Sequence, residues 1–400
     1  MVRIAYLGDF INHGKSLQTI GTGVVILLSL LKDVDSIDVF CPEENETHEN
    51  FELPKKVKLY EFYRYDDSLS ILSLLKIRWH NYDEVIFNML STGFGNGTLS
   101  NAFGLIVPIT LRMIFRQSNI KVIYHNSIFT NDIRKLGYGS AFDRIRSFFL
   151  GIVERTLFKN VDTFVLFYLY KKRVDDSIGK NKVHVLNWRY LEAITTLYLN
   201  KVMDDESVET KKTDIPTVLM HGSWGPQKNI ELGLMVLKKL KSEGEKFRLV
   251  ISGGLNHHFP EYKRKLQELL HSYSDVIDEY LGPVTEKDIM KIFLGASLLI
   301  LPYNTPGGFS GILELAIFFE VPTIAIGFPE YAEQAKGISF VRLIDSEDSL
   351  KLNVKELLLG STVKNIEISV NEKIQQAVNN IQDLLKLQPK KLLSQTRDGV

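Results

Sequence analysis

Twice along this chain, short apolar runs of strand character alternate with longer segments of helical period, and a polar, acidic stretch separates the two series. The first series holds RIAYLG, a helix from about Val24 to Lys32, SIDVFC, DEVIFN, a long apolar segment from Ala102 to Phe115, and KVIYHN. The second follows DDESVETKKTD (Asp204 to Asp214) with TVLMHG, a helix from Ile230 to Ser242, RLVISGG, a helix from Glu261 to Ser272, SLLILP and PTIAIG. Such alternation builds parallel sheets wrapped by helices. The chain is therefore expected to be α/β, with two doubly wound domains facing across a cleft, residues 1–195 and 213–368. A C-terminal helix over 369–388, with Ile374, Val378, Ile381, Leu384 and Leu385 on one face, and a polar tail over 389–400 complete it. Four hundred residues suffice for two such cores.

Charge narrows the function classes. The 48 basic and 48 acidic residues cancel, which is not the balance of a nucleic-acid binder. Between residues 100 and 190, however, 15 Lys and Arg stand against 6 Asp and Glu. Within that region, FDRIRSFFLGIVERTLFK (Phe142 to Lys159) sets Ile145, Phe148, Phe149, Ile152 and Leu157 among Arg144, Arg146, Arg155 and Lys159. This composition suits either a helix covering a sheet or one lying in an anionic lipid interface. No apolar run is long enough to span a bilayer, since GLIVPITLRMIF is interrupted by Pro108 and Arg112. The single cysteine, Cys41, excludes an internal disulfide and a cysteine zinc cluster, and no secretory leader precedes RIAYL. A cytoplasmic location, with peripheral contact to the membrane face, is the expectation.

The densest chemistry lies in YNTPGGFSGILELAIFFEVPTIA (Tyr303 to Ala325). After the strand-like SLLILP, Gly307, Gly308, Phe309, Ser310 and Gly311 fall where backbone N–H groups open a helix toward a phosphate. Glu314, on the first turn, offers paired oxygens to a ribose diol, although a helix N-terminal glutamate also simply pairs with the macrodipole. Upstream, Lys228 sits in the loop after TVLMHG, able to neutralise a diphosphate. Gly222, Gly253 with Gly254, and Gly282-Pro283-Val284 mark further strand ends converging on the same sheet edge.

Two other glycine-rich stretches are read differently. GDFINHGKS resembles a phosphate loop, but five residues rather than four separate Gly8 and Gly14. IGTGVVILLSLL is read as a turn, with Gly21 and Gly23 opening a helix; the third glycine of a dinucleotide fingerprint is absent, so hydride chemistry is unsupported.

Taken in order, Gly222 to Asn229, Gly253 with Gly254, Gly282 to Val284 and Gly307 to Pro322 resemble the donor domain of glycosyltransferase family 4, enzymes of the GT-B fold with two Rossmann-like domains. The shared pattern is a glycine strand end, a lysine six residues on, a glycine-valine strand end, and a helix carrying the second of two glutamates. The resemblance spans roughly residues 217–327 and is looser in the first half. There Gly21 and Gly23 are similar to the family's glycine loop, and His125 in KVIYHNS to a histidine facing the donor sugar. Two positions depart: Ser223 replaces an arginine, and Pro306 replaces the first glutamate.

The resemblance implies a retaining transfer from a nucleotide-sugar, a UDP- or GDP-sugar, to a glycan or lipid-linked glycan, with no cofactor or metal required. In it Lys228 faces the diphosphate, Glu314 the ribose, Gly282 and Val284 the base, and His125 the sugar or the acceptor. Two alternatives stand beside it: a nucleotide-sugar epimerase on the same fold, and a non-catalytic transferase-like subunit, prompted by Ser223 and Pro306.

Overall fold

The computed structural model describes residues 1–8, 16–43, 52–89, 94, 98–115, 119–125, 141–203, 207–209, 214–256, 259–305, 308–360 and 367–386. A first sheet contains β1 (Val2–Leu7), β2 (Val34–Pro42), β3 (Val57–Tyr63), β4 (Glu84–Met89), β5 (Asn119–Tyr124), β6 (Asp162–Val165) and β7 (Val183–Val185). Its order is β3-β2-β1-β4-β5-β6-β7, every pairing parallel. The helices of this half are α1 (Ser16–Leu30), α2 (Ser68–Ser73), α3 (Thr98–Ile114), α4 (Ala141–Asn160), α5 (Tyr168–Ile178) and α6 (Leu191–Leu199). Strands such as EVIFNM are buried along their whole length, as a parallel sheet covered on both faces requires.

A short strand, β8 (Ser207–Glu209), leads to a second parallel sheet of β9 (Thr217–His221), β10 (Arg248–Ser252), β11 (Glu279–Tyr280), β12 (Leu298–Leu301), β13 (Thr323–Ile326) and β14 (Val341–Ile344). Its order is β11-β10-β9-β12-β13-β14. Around it run α7 (Ile230–Ser242), α8 (Tyr262–Ser272), α9 (Glu286–Gly295), α10 (Gly311–Phe318), α11 (Pro329–Gln334) and α12 (Glu347–Gly360). The chain then forms β15 (Glu367–Ser369) and α13 (Val370–Lys386). β15 pairs antiparallel with β8, so the two crossings between the halves form one ribbon. α13 packs back onto α1 of the first half, burying Ile374, Ala377, Ile381 and Leu384.

In both sheets the strand order reverses, between β1 and β4 and between β9 and β12, and the crevice outside the carboxyl ends of the strands opens there. The loops after β9 and β12 flank the second of these points.

Some expectations shift. The first helix begins at Ser16 rather than near Val24, so Gly21 and Gly23 lie inside α1 and form no turn. The cause is tertiary: a side chain at residue 23 would approach the Leu191 carbonyl oxygen to 2.3 Å, so glycine lets α6 lie directly on α1 and contact outweighs its poor helix propensity. Of the apolar residues of α4, Leu150, Leu157 and Phe158 are buried. The strand before Gly282 ends at Tyr280. The loop from Asp9 to Lys15, Pro306, Gly307 and the tail over 389–400 lie outside the described residues.

Candidate functional site

The strand ends of the second sheet are pressed together. Gly253 has φ of 102°, and a side chain there would come within 1.8 Å of the Gly222 carbonyl oxygen, so only glycine fits on both counts. Its N–H donates to the Gly282 carbonyl at 2.6 Å. Gly254 in turn packs on Pro283, whose Cγ is 2.9 Å from where its Cβ would stand. Val284 is partly buried against the core. Gly222 lies beside Ile312 of α10 and the Tyr303 hydroxyl, each 3.4 Å from its Cβ position. The β9 loop, the β10 and β11 ends and α10 thus share one side of the crevice.

Lys228 closes a 3-10 turn, Pro226–Lys228, ahead of α7. Its Nζ stands 3.7 Å from the centre of the buried Tyr303 ring. Asn304 ties the two switch-point loops together: its N–H donates to the Gln227 carbonyl at 3.1 Å and its Nδ2 to the Pro226 carbonyl at 3.1 Å. Burial pushes the Lys228 ammonium down to about 7, so near neutrality it carries a labile proton. His221, at the end of β9, bonds Ser252 through Nδ1 at 2.7 Å. Burial first, and the Lys228 charge second, hold this imidazole down at about 4.

Ser310 is the N-cap of α10, its Oγ accepting the Leu313 N–H at 3.2 Å. Gln334 braces the same residue, its Oε1 accepting from the Ser310 N–H at 3.2 Å and its Nε2 donating to the Ser310 carbonyl at 2.8 Å. Gly308 has φ of 87°, and Phe309 reaches across the crevice to Phe167, ring centres 6.2 Å apart.

Glu314 is buried and faces the first half of the chain, accepting the backbone N–H of Tyr190. Burial lifts its carboxyl to about 8 despite Arg189, a hydrogen bond with Gln334, and Lys373. Glu192, also buried, lies in the first turn of α6, and its carboxyl carbon is 2.9 Å from where a Cβ would stand at Gly311. The segment from Arg189 to Glu192 therefore lies over the opening of α10. Nothing local in the sequence marks it; Tyr190 is a non-glycine residue with φ of 76°, a conformation fixed by this docking.

His125 follows β5 at the carboxyl edge of the first sheet, its N–H donating to the Met89 carbonyl at 3.2 Å. Its Nε2 bonds Asn88 Oδ1, and its ring lies 5.5 Å from that of Trp188. Burial drives its pKa down to about 3, so the imidazole is neutral. The structure brings Gly222, Gly253, Gly282, Lys228 and the start of α10 together. It sets Glu314 at the seam between the halves, His125 beside Trp188 at the carboxyl edge of the first sheet, and Gly21 and Gly23 inside α1. Tyr303, Gln334, Glu192, Asn88 and Trp188 join the site only through folding.

Among the described residues no helix is long and apolar enough to cross a membrane, and no group of three His, Cys, Asp or Glu side chains is disposed to hold a metal.

No curated protein matches the sequence. Among solved structures, the chain resembles WaaG, a glycosyltransferase involved in lipopolysaccharide biosynthesis, at 14% identity, with 96% of this chain and 95% of that one covered and a TM-score of 0.57. It resembles sucrose-phosphate synthase from Thermosynechococcus elongatus at 13% identity, covering 96% and 95%, with a TM-score of 0.60. Anabaena Alr3699/HepE, solved in complex with UDP-glucose, is similar at 12% identity, covering 96% and 99%, with a TM-score of 0.59. At such identities the likeness is one of fold. Residues 202–367 match the family model described as "Glycosyl transferases group 1". The chain thus has the GT-B fold, and its second half carries the group 1 glycosyl transferase pattern.

Proposed function

We propose that this protein is a retaining glycosyltransferase that moves a sugar from a UDP- or GDP-sugar, held by the second half, to a glycan or lipid-linked glycan presented against the first. The observation that carries this reading is the meeting of Gly222, Gly253, Gly282, Lys228 and the Ser310-capped start of α10 at the switch point of the second sheet. A nucleoside diphosphate leaving as the glycosidic bond breaks gathers negative charge, which Lys228 and the amides from Gly308 onward are placed to take up, so no metal cofactor is called for. Glu314 holds the ribose once its present partner, the Tyr190 N–H, has moved away, and Gly282 with Val284 borders the base. Retention is what the family 4 resemblance implies; no residue is assigned as a covalent nucleophile.

The lipid-linked acceptor is supported by α4. Its inner face buries Leu150, Leu157 and Phe158, and Glu154 accepts the Tyr124 hydroxyl. Its outer face leaves Ile145, Phe148, Phe149 and Ile152 between 50% and 67% exposed, with Arg155 and Lys159 exposed nearby. Exposed aromatics on a basic helix fit the interface of an anionic membrane, which in this reading makes the protein peripheral on the cytoplasmic face.

Incubating the protein with labelled UDP- and GDP-sugars and a glycan and lipid extract tests the reaction. Label entering the acceptor fraction, and lost in Lys228→Ala and Glu314→Ala, is expected. An epimerised nucleotide-sugar formed without any acceptor would instead identify an epimerase.

A further inference from the structure

Lys228 meets an aromatic ring in a way that the other described lysines do not. Its Nζ stands 3.7 Å from the centre of the Tyr303 ring. Lys238, Lys241 and Lys373 also approach rings, at 5.2 to 5.8 Å, but each is paired with a carboxylate, that of Asp275, Asp278 and Glu320 in turn. Among the described residues neither a carboxylate nor a hydrogen-bond acceptor pairs with the Lys228 ammonium.

The ring itself is held firmly. Tyr303 follows β12 after Pro302 and is buried; its hydroxyl donates to the His221 carbonyl at 3.5 Å, and its ring meets that of Tyr331 edge-on at 6.3 Å. The next residue, Asn304, binds the Pro226 and Gln227 carbonyls of the turn that carries Lys228, at 3.1 Å each. Two consecutive residues thus fix the lysine at both ends, Asn304 its backbone and Tyr303 its ammonium. A ring face attracts an ammonium through its quadrupole, more so where water is excluded. Being neutral, it does not compete with an anion as a carboxylate would, and it leaves N–H donors of the ammonium free on the side away from the ring.

We infer that Tyr303 is a positioning residue, whose ring holds the Lys228 ammonium at the second switch point and stays beneath it while an anionic ligand binds from the other side. That the ligand is a nucleoside diphosphate rests on the function proposed above; the seat itself does not. Without the ring the ammonium would be buried with less compensation and would give up its proton more easily. Of the titratable groups around it, burial holds His221 neutral, down at about 4, and pushes Tyr303 and Tyr331 upward, so Lys228 is the one of them that titrates around neutrality.

The test uses the full chain labelled with 13C at lysine Cε, with Lys228→Met assigning the resonance. In the ligand-free wild-type protein the Lys228 signal should be displaced upfield by the Tyr303 ring current. Tyr303→Leu should remove that displacement and lower the titration midpoint of Lys228 by about one pH unit, while Tyr303→Phe, which keeps the ring, should match the wild type. Affinity for UDP or GDP, measured by calorimetry, should fall in Tyr303→Leu by about tenfold at about pH 8 and by only about twofold at about pH 6, where the lysine is charged more fully in both proteins. In a Lys228→Met background Tyr303→Leu should cost no further affinity, an outcome that general loosening of the loop would not give. A Lys228 signal at the ordinary lysine position in the wild type refutes the seat, whether or not the variants fold. So does an affinity loss that is independent of pH, or one as large in Tyr303→Phe as in Tyr303→Leu. If the Lys228 signal behaves as expected while no nucleotide binds, the transfer reading falls and the seat stands.

Discussion

Lys228, the residue proposed to meet the diphosphate, is set by its surroundings before any ligand binds. Its ammonium rests on the Tyr303 ring, and burial lowers its pKa to about 7. A bound diphosphate favours the charged form, so binding above pH 7 must draw in a proton. Affinity for UDP or GDP is therefore expected to fall as pH rises from about 7 to 9, by up to about tenfold per unit while Lys228 is the group that titrates. Calorimetric titration in two buffers of different ionisation heat should register proton uptake, and Lys228→Met should abolish it. Gly311 supports a second prediction. Because the Glu192 carboxyl, the end of a flexible side chain, lies against the space of its missing side chain, Gly311→Ala should displace that carboxyl and not the helix, and stability read by chemical denaturation should stay within about 1 kcal/mol of the parent, with Glu192→Ala removing the remaining clash.

At the scale of elements, α4 shows how far its pattern could be read from sequence. Its apolar residues occupy more than one face, and periodicity alone does not say which face meets the sheet. The structure gives Leu150, Leu157 and Phe158 to the core and leaves Ile145, Phe148, Phe149 and Ile152 outside. Phe148→Asp with Phe149→Asp should leave the thermal transition within a degree or two, since neither ring supports the core, and sharply reduce co-sedimentation with vesicles containing anionic lipid at low salt. Unchanged sedimentation would remove the support for a lipid-linked acceptor. The start of α1 was not legible for a different reason. Glycine signals a turn wherever propensity decides, but at Gly23 the approach of Leu191 decides, and that partner lies far along the chain. Gly23→Ala should accordingly destabilise the chain by about 1–3 kcal/mol, where helix propensity alone would favour alanine.

In the whole molecule, the two doubly wound sheets and the glycine strand ends follow from local signals: apolar runs, helical period and turn residues. The seam between the halves does not, because it consists of pairs distant in sequence. Glu333 accepts the N–H groups of Tyr168 and Leu169 at the start of α5, the second at 3.1 Å. Arg189 donates to the Lys336 carbonyl at 3.2 Å, and Glu314 takes the Tyr190 N–H. Hence the place of Glu314 on the first turn of α10 was legible in the sequence, whereas its partner Tyr190 was not. These contacts hold the segment from Arg189 to Glu192 over α10, so donor binding as proposed requires the halves to part there. The most direct measurement is thermal stabilisation of the purified protein by UDP, GDP, UDP-sugars and GDP-sugars without added metal. A nucleotide at a hundred times its dissociation constant should stabilise the fold by about 2.7 kcal/mol, and Lys228→Ala and Glu314→Ala should lose that gain. No stabilisation by any of these ligands, in a protein that melts cooperatively, would contradict a nucleotide-sugar site at the second switch point.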